Sequence, residues 1–252
     1  MFAEVRHQQI LNKLNESGSI KVKQLSKCFD VTEETIRRDL EKLESEQKLK
    51  RIHGGAILSS LVQDDDDIPF KDRKVTNKKE KECIAKKAVQ LLQKDDVIFI
   101  DAGSTALHFA KKIPDIALKV ITNSLHVAIE LNKKKKIEVL LTGGLLSQNS
   151  TSLVGPATIQ SIKKYHINKM FFSCKGFDVN WGISDSNEQQ AAVKRAAIEC
   201  SDTVILLVDH TKLDKKSFVK IDSIETLHYI VLDQIPDEDF IKNDVFTQIE
   251  II

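Results

Sequence analysis

The sequence contains no apolar run that approaches the ~18 residues needed to cross a bilayer, which excludes a membrane-spanning helix. It has only four cysteines in 252 residues, and none of them lies in a CxxC pair. Its first residues, MFAEVRHQQI, have neither the apolar stretch nor the small-residue cleavage site of a secretory signal. We therefore expect a cytoplasmic protein with buried thiols, no zinc site and no membrane association.

The sequence also lacks an excess of either charge, since 38 lysines and arginines balance 37 aspartates and glutamates. This balance neither predicts nor excludes a polyanionic partner, so a nucleic-acid site has to be argued from local placement. The composition, 41% hydrophobic and 30% charged, is typical of a soluble globular chain. At roughly 150 residues per domain, the length predicts one or two domains.

A boundary between two domains is predicted around residues 58–78. This stretch contains serines, four consecutive aspartates at 64–67 and Pro69, which is typical of an exposed connection. The aspartates could instead mimic phosphate or bind a cation, but like charges repel one another and favour a solvated linker. We therefore predict a helical domain over 1–57, a linker over 58–78, and a strand-helix domain over 79–252.

Apolar residues recur at helical spacing in three short segments of the first domain. The third segment can begin at Thr32, a residue type that caps helices. Its Ile36, Leu40 and Leu43 form one apolar stripe. Residues 49–57 resemble a β-hairpin with two glycines near its turn. The pattern predicts a helix-turn-helix followed by a wing.

This arrangement suits double-stranded DNA, because the major groove admits one helix whose N-terminal residues reach base edges while nearby cations neutralise phosphates. The alternative is a helix that is merely solvated, since Glu33 and Arg37 form an i,i+4 pair of the usual surface kind. The candidate DNA-binding residues are Thr32, Glu34, Thr35, Arg37, Arg38 and Lys42 on the third helix, and Lys50, Arg51 and His53 on the wing.

The first domain resembles the N-terminal winged helix of the DeoR family of bacterial transcriptional regulators. TIRRDL at 35–40, followed by the R-x-H-G-G-A pattern at 51–56, is more specific than a general helix-turn-helix pattern. Further matching residues are Leu25, Ser26, Phe29, Val31, Leu43, Glu44 and Leu49. The resemblance implies that the third helix is the recognition helix and that the partner is operator DNA.

Six short apolar runs in the rest of the chain are typical of buried strands, and helical spacing separates most of them. The alternation predicts an α/β unit with a largely parallel sheet. The runs lie at 97–100, 120–121, 139–141, 170–172, 204–208 and 229–232, and the helical stretches at 82–92, 105–112, 125–132, 157–164 and 188–200.

Five of the predicted strands end in polar or glycine-rich residues. In open α/β sheets the ligand crevice lies beyond the carboxyl ends of the strands. Residues 103–105 also begin a helix, whose unpaired N–H groups can bind an anion. The candidate ligand-binding residues are Asp101, Gly103, Ser104, Thr105, Thr122, Asn123, Ser124, Gly143, Gly144, Lys175, Asp209 and Lys212.

These strand ends predict a phosphate seat and a small phosphorylated polyol or sugar as ligand. The alternative is that glycine and serine serve only the tight turns. No G-x-G-x-x-G follows the first strand, so a dinucleotide is not favoured and no cofactor is expected. The histidines lack ligand spacing, so no metal site is expected either.

The second domain resembles the sensor domain of the same family. The matching strings are DAGST at 101–105, ITNS at 121–124, LTGG at 141–144, Lys175-Gly176, Gly182, the helix at 188–194 and DHTK at 209–212. That sensor is similar in fold to ribose-5-phosphate isomerase and to sugar-phosphate deaminases. The resemblance adds Glu188 to the candidate effector-binding residues. It implies a homo-oligomeric repressor of a sugar or polyol catabolic operon that releases DNA when a phosphorylated intermediate binds.

One departure from the family concerns chemistry. Many members have Gly-Ala-Asp-Gly after the fourth strand, where this chain has SCKG at 173–176, so an ammonium replaces a carboxylate. By the resemblance, the isomerase's acids fall on Phe172 and Lys175 and its base on Val193. These side chains cannot shuttle a proton, so no catalytic residue is expected. Lys175 could pair with an anionic group of the ligand or with Asp178.

The sequence thus predicts an α/β protein with an N-terminal winged helix-turn-helix domain and a larger α/β sensor domain with a mostly parallel sheet. Two other functions stay open at this point. One is a sugar-phosphate isomerase or deaminase with a DNA-binding appendage. The other is a constitutive DNA-binding protein whose α/β half only oligomerises.

Overall fold

A computed structural model describes residues 3–17, 19–46, 48–52, 55–58, 70–236, 240 and 244–252. The chain divides into two compact units, Met1–Asp64 and Asp65–Ile252. Over the described ranges, no helix is long and apolar enough to cross a membrane.

The smaller unit is a helix-turn-helix with a small sheet, as predicted. Its elements are α1 (Ala3–Ser17), β1 (Ser19–Lys21), α2 (Val22–Phe29), α3 (Glu33–Ser45), β2 (Leu49–Ile52) and β3 (Gly55–Leu58). The strand order is β1-β3-β2, with antiparallel pairing. The sequence reasoning did not predict β1, because three residues are too short to show an alternating pattern.

The apolar stripe of α3 forms the core of this unit. Ile36, Leu40 and Leu43 are buried against Ile10 and Leu14 of α1. Burying an aliphatic side chain of this size contributes roughly 1.5–3 kcal/mol, so the stripe holds α3 firmly against α1. The opposite face of α3 is thereby left to solvent.

The larger unit contains a seven-stranded sheet in which all the neighbouring strands are parallel, as predicted. Its helices are α4 (Phe70–Arg73), α5 (Lys78–Ala88), α6 (Ser104–Lys112), α7 (Leu125–Leu131), α8 (Pro156–Ile162) and α9 (Glu188–Glu199). The strands of the sheet are β4 (Val97–Ile100), β5 (Leu118–Thr122), β6 (Ile137–Leu141), β9 (Ile167–Phe172), β12 (Ser201–Val208), β14 (Tyr229–Leu232) and β15 (Glu250–Ile251).

Two smaller sheets accompany it that the sequence reasoning missed. Strands β7 (Leu145–Ser147) and β8 (Ser152–Val154) form an antiparallel hairpin. Strands β10 (Gly176–Asp178), β11 (Gly182–Asp185) and β13 (Val219–Asp222) form a three-stranded antiparallel sheet.

The strand order of the main sheet, β15-β14-β12-β9-β4-β5-β6, reverses direction between β9 and β4. The chain runs outward from β4 to β6 on one side and from β9 to β15 on the other. Such a reversal opens a crevice at the carboxyl ends of the two central strands. Both strands are buried on both faces, since Phe171 packs in one apolar cluster and Phe172 in the other.

The segment around α4 packs on the larger unit although it lies within the predicted linker. The ring of Phe70 stacks on His126 with centroids 4.3 Å apart. Lys81 donates from Nζ to the carbonyls of Arg73 at 2.6 Å and Thr76 at 2.7 Å. We placed the end of the linker at residue 78, beyond α4, because a helix of four residues is too short to show helical periodicity in the sequence. Residues 59–69 of that linker lie outside the described part of the chain.

The expectation of buried thiols is wrong for three of the four cysteines. Cys28 is exposed, and Cys83 and Cys200 are partly exposed, because they lie at the surfaces of their helices. Cys174 is buried, and burial raises the pKa of its thiol to about 12. That thiol therefore stays protonated and acts as a small apolar side chain.

Candidate functional site

The exposed face of α3 carries the residues predicted to bind DNA. The side chain of Arg38 is 78% exposed, and those of Glu34, Arg37 and Lys42 are also exposed. Thr32 caps the helix by accepting from the N–H of Thr35 at 3.2 Å. The first turns of α3 are thereby exposed, as binding in a major groove would require.

The wing is described only in part. Lys50 and Arg51 lie on β2, but their side chains, like the whole of His53, lie outside the described residues. Their contact with phosphates stays a prediction.

Surface ion pairs hold the arginines of α3. Arg37 lies 3.3 Å from the carboxylate of Glu33, and Arg38 lies 3.7 Å from that of Glu34. Exposed pairs of this kind contribute about 0–1 kcal/mol. Exchanging them for a phosphate or a guanine edge therefore costs little, and the pairs are compatible with DNA binding.

Asp39, the aspartate of TIRRDL, lies on the buried face of α3. It accepts hydrogen bonds from Arg6 Nε at 2.5 Å and Nη2 at 3.0 Å, and it lies 2.9 Å from Nε2 of His7. Burial alone would raise the pKa of Asp39, but the hydrogen bonds and charges of Arg6 and His7 outweigh it and hold that pKa below its usual value. This pair joins α1 to α3. The sequence reasoning missed it, although an aspartate between two stripe residues was a signal.

A crevice lies at the carboxyl ends of β12, β9 and β4, at the point where the strand order reverses. It has two lobes that share a wall formed by Arg73, Ser173, Cys174 and Lys175. The helix lobe contains Asn77, Ser104, Thr105, Asp209 and Lys212. The aspartate lobe contains Asp101, Ser150, Asp185, Gln190 and Lys194. With the open solvent at their mouths, the lobes measure about 530 and 340 Å³.

The helix lobe is built on the first turn of α6. Ser104 and Thr105 are buried there and line the lobe. Gly103 precedes them, and a Cβ at this position would lie 2.3 Å from Ser173 Oγ, so a larger residue here would require the Ser173 hydroxyl to move. Helix N–H groups, two hydroxyls and the lysines at 175 and 212 can together bind a phosphate.

Asp209, at the end of β12, orders the opposite wall of the helix lobe. Its carboxylate accepts from the N–H of Thr211 at 3.1 Å and from Nδ2 of Asn77 at 3.5 Å. Asn77 also donates to the Thr211 hydroxyl at 3.3 Å. Asp209 therefore positions the turn that carries Lys212.

The aspartate lobe contains a buried charge cluster. Nζ of Lys194 lies 2.6 Å from Asp185 Oδ2 and 3.4 Å from Asp101 Oδ2. Burial raises the pKa of Asp101, although the charge of Lys194 opposes it. Burial would lower the pKa of Lys194, but the two carboxylates outweigh it, and this pKa is raised. The ammonium is therefore retained at neutral pH.

The predicted residues after β5 do not line the described crevice. Thr122 donates from its hydroxyl to the carbonyl of Ile100 at 2.6 Å, and Asn123 donates to that of Leu153 at 3.1 Å. Ser124 caps α7. Local hydrogen bonds engage these side chains in part, and Oδ1 of Asn123 is buried without a partner among the described residues. β5 lies one strand further from the reversal than β4.

Gly143, Gly144 and Glu188 also lie apart from the described lining. The carbonyl of Gly143 accepts from the hydroxyl of Thr158 at 2.7 Å. Gly144 has a φ of 136°, which suits glycine, at the turn before the hairpin. Glu188 is exposed and forms an ion pair with Arg195.

Several lining residues escaped the sequence reasoning. Arg73 and Asn77 lie in the predicted linker, and Asp185 ends a short antiparallel strand. Gln190 and Lys194 project from α9. The family resemblance of the helix at 188–194, in which Lys194 follows two alanines and a valine, was an available signal.

Two family models match the chain. The model described as a DeoR-like helix-turn-helix domain matches residues 6–61. The model described as a DeoR C terminal sensor domain matches residues 76–234.

Named relatives match over nearly their full length. The chain is 48% identical to the uncharacterized HTH-type transcriptional regulator YulB of Bacillus subtilis, covering 92% of this chain and 90% of that protein. It is 37% identical to the HTH-type transcriptional regulator GolR of Listeria innocua, covering 92% and 91%. It is also 37% identical to the L-fucose operon activator of Haemophilus influenzae, covering 92% and 93%.

Among solved structures, a D-ribose-5-phosphate isomerase in complex with phospho-erythronic acid aligns at 18% identity and a TM-score of 0.41, covering 54% of this chain and 55% of that one. The far more similar relatives are named as regulators, and the protein is not an enzyme. It binds DNA through the helix-turn-helix domain and belongs to the DeoR family of transcriptional regulators.

Proposed function

We propose that this regulator represses a sugar or polyol catabolic operon and leaves its operator when a small phosphorylated sugar binds in the crevice. The main support for this proposal is the helix lobe, which is lined by the first turn of α6, two buried hydroxyl groups and Lys212. The name of the Haemophilus influenzae relative, an L-fucose operon activator, supports a sugar operon. Repression is what the family resemblance implies.

A phosphate fits the helix lobe because its charge meets complementary groups. The dipole of α6 and the lysines at 175 and 212 favour a dianion, and the hydroxyls of Ser104 and Thr105 add hydrogen bonds. The remaining length of the ligand would extend past Ser173 into the aspartate lobe.

Release of DNA requires that the ligand bind one conformational state better than the other, typically by ~1–3 kcal/mol. The segment from Phe70 to Asn77 is suited to this role. It follows the connection from the DNA-binding unit, and its Arg73 and Asn77 line the crevice. We propose that the ligand acts on this segment, and that the protein acts in the cytoplasm as a homo-oligomer whose two-fold symmetry matches two operator half-sites.

A sugar phosphate is expected to raise the melting temperature of the full-length protein and to lower its affinity for operator DNA. A ligand that binds only the folded state must stabilise it. The operator would be a duplex selected by the protein from a randomised library. Thermal shift and fluorescence anisotropy would be measured with triose, pentose and hexose phosphates and with polyol phosphates, beside the unphosphorylated sugars.

Lys212→Met is expected to weaken the binding of the sugar phosphate found in that screen at least tenfold, because a charge-assisted hydrogen bond is lost. Lys216→Met is the matched control, since Lys216 is exposed and lies 3.7 Å from Asp178 outside the crevice. Operator binding without ligand should be unchanged in both variants. If no phosphorylated compound shifts the melting temperature or releases DNA, the larger unit is not a sensor and the constitutive alternative holds.

A further inference from the structure

We infer that the aspartate lobe selects the effector by its uncharged, hydroxyl-bearing end: Asp101 and Asp185 accept hydrogen bonds from hydroxyl groups and exclude a ligand that carries a carboxylate there. This inference rests on the proposed function, in which the phosphate occupies the helix lobe. It adds a specificity role for Asp185, Lys194 and their neighbours.

The first observation is the charge of the lobe. Asp101, Asp185 and Lys194 are all at least nine-tenths buried, and two carboxylates share one ammonium. A second anion placed here would be desolvated beside like charges, which is costly. A hydroxyl group brings no charge and donates to a carboxylate.

The second observation is that the hydrogen bonding of the Asp101 carboxylate is incomplete. Its residue is 1% exposed, and neither carboxylate oxygen has a hydrogen-bond partner of good geometry in the described part of the chain. Lys194 Nζ is 3.4 Å from Oδ2 and is engaged more closely by Asp185. A buried carboxylate whose hydrogen bonds are incomplete is costly, and a ligand hydroxyl that supplies a further donor is favoured accordingly.

The third observation is that the polar groups around Asp101 already form hydrogen bonds with one another. Nε2 of Gln190 donates to the hydroxyls of Ser150 and Ser152, each at 2.9 Å. Asp185 Oδ1 accepts from the N–H of Ser186 at 2.8 Å. Because these groups hold one another in place, the lobe presents a fixed set of acceptors to the ligand.

The aspartate lobe contains a cation of its own, Lys194, which the two carboxylates of the lobe engage. Arg73 and Lys175 border both lobes from the shared wall, and Lys212 lines only the helix lobe. The excess of positive charge is therefore greater in the helix lobe, where the phosphate is placed, than in the aspartate lobe, where two carboxylates engage Lys194. The crevice matches a ligand with a single anionic group.

The test compares phosphorylated compounds that end in a hydroxyl-bearing group with compounds that end in a carboxylate. Glycerol 3-phosphate is paired with 3-phosphoglycerate, and sorbitol 6-phosphate and glucose 6-phosphate with 6-phosphogluconate. Dissociation constants would be measured by calorimetry on the full-length protein, with inorganic phosphate as reference. Within the pair whose carbon chain fits the crevice, the compound with the neutral end is expected to bind at least tenfold more tightly than the compound with the carboxylate.

Asp101→Asn and Asp185→Asn each remove one negative charge from the lobe at nearly constant volume. Both variants are expected to bind the compound with the neutral end more weakly and the acid more tightly. The ratio of the dissociation constant of the acid to that of the neutral compound should therefore fall at least tenfold. Asp202→Asn, an exposed aspartate paired with His166, is the control and should leave the ratio unchanged. If one of the two variants does not fold, the other still tests the charge.

Two results overturn the inference while leaving the proposed function in place. One is equal binding of the neutral and acidic compounds by the wild-type protein. The other is a ratio that both folded variants leave unchanged. If no phosphorylated probe binds the wild-type protein, the proposed function fails as well, and the three outcomes are thus distinguishable.

Discussion

Asp39→Ala is expected to unfold the DNA-binding unit and abolish operator binding, while the sugar-phosphate response of the larger unit persists. The carboxylate accepts two hydrogen bonds from Arg6 where both side chains are only 8% exposed. Removing one partner of a buried ion pair costs about 3–5 kcal/mol, because the other charge is left uncompensated. A unit of roughly 60 residues has little more stability than that to lose.

The measurement is thermal or urea unfolding of the full-length protein followed by circular dichroism, together with operator binding by anisotropy. Glu41→Ala, an exposed glutamate of the same helix, serves as the control and should retain both. The double variant Arg6→Met, Asp39→Leu replaces the pair with apolar side chains and should be more stable than Asp39→Ala. Wild-type stability in Asp39→Ala would contradict a structural role for the pair.

The same pair predicts a dependence of stability on pH. The pKa of Asp39 is lower in the folded protein than in the unfolded chain, where it is about 3.9. Its contribution is therefore complete above the unfolded value and is lost as the pH falls through the lower folded value. Asp39→Asn should remove this part of the acid destabilisation. Urea titrations between roughly pH 5 and pH 2 would show a shallower slope for the variant, and an equal slope would contradict the assignment.

Periodicity predicted the parts of the fold that repeat. The stripe of Ile36, Leu40 and Leu43 has one spacing that fits only a helix with one buried face. The strand at 97–100 was recognisable because a parallel strand is buried on both faces and reads as a continuous apolar run. Such patterns are local, so the sequence alone carries them.

The order of the strands is not local, and the crevice depends on it. Asp101 and Lys175 meet because β4 and β9 are neighbours, whereas Asn123 lies beyond them after β5. All five strand ends looked equivalent in the sequence. Arg73 and Lys194 join the site from helices, and nothing in their neighbouring residues indicated where those helices would pack.

Arg38→Ala is expected to lower the affinity for the selected operator by about 1–3 kcal/mol, or ~5- to 150-fold, if Arg38 reads a base edge in the major groove. The side chain is 78% exposed on the face opposite the buried stripe, and its ion pair with Glu34 is long and solvated. Little is therefore lost from the fold when it is removed. Ligand binding by the larger unit should not change.

Arg38→Lys separates reading a base from neutralising a phosphate. A lysine keeps the charge but not the planar pair of donors that matches guanine. We expect this variant to lose affinity for the selected duplex, to keep its affinity for a scrambled duplex, and to keep the salt dependence of the wild type. Lys163→Ala, in the larger unit, is the control. If instead Arg38→Lys binds the selected duplex normally, while Arg38→Ala weakens both duplexes alike and lowers the salt slope by about one, Arg38 contacts only the backbone and another residue of α3 reads the operator.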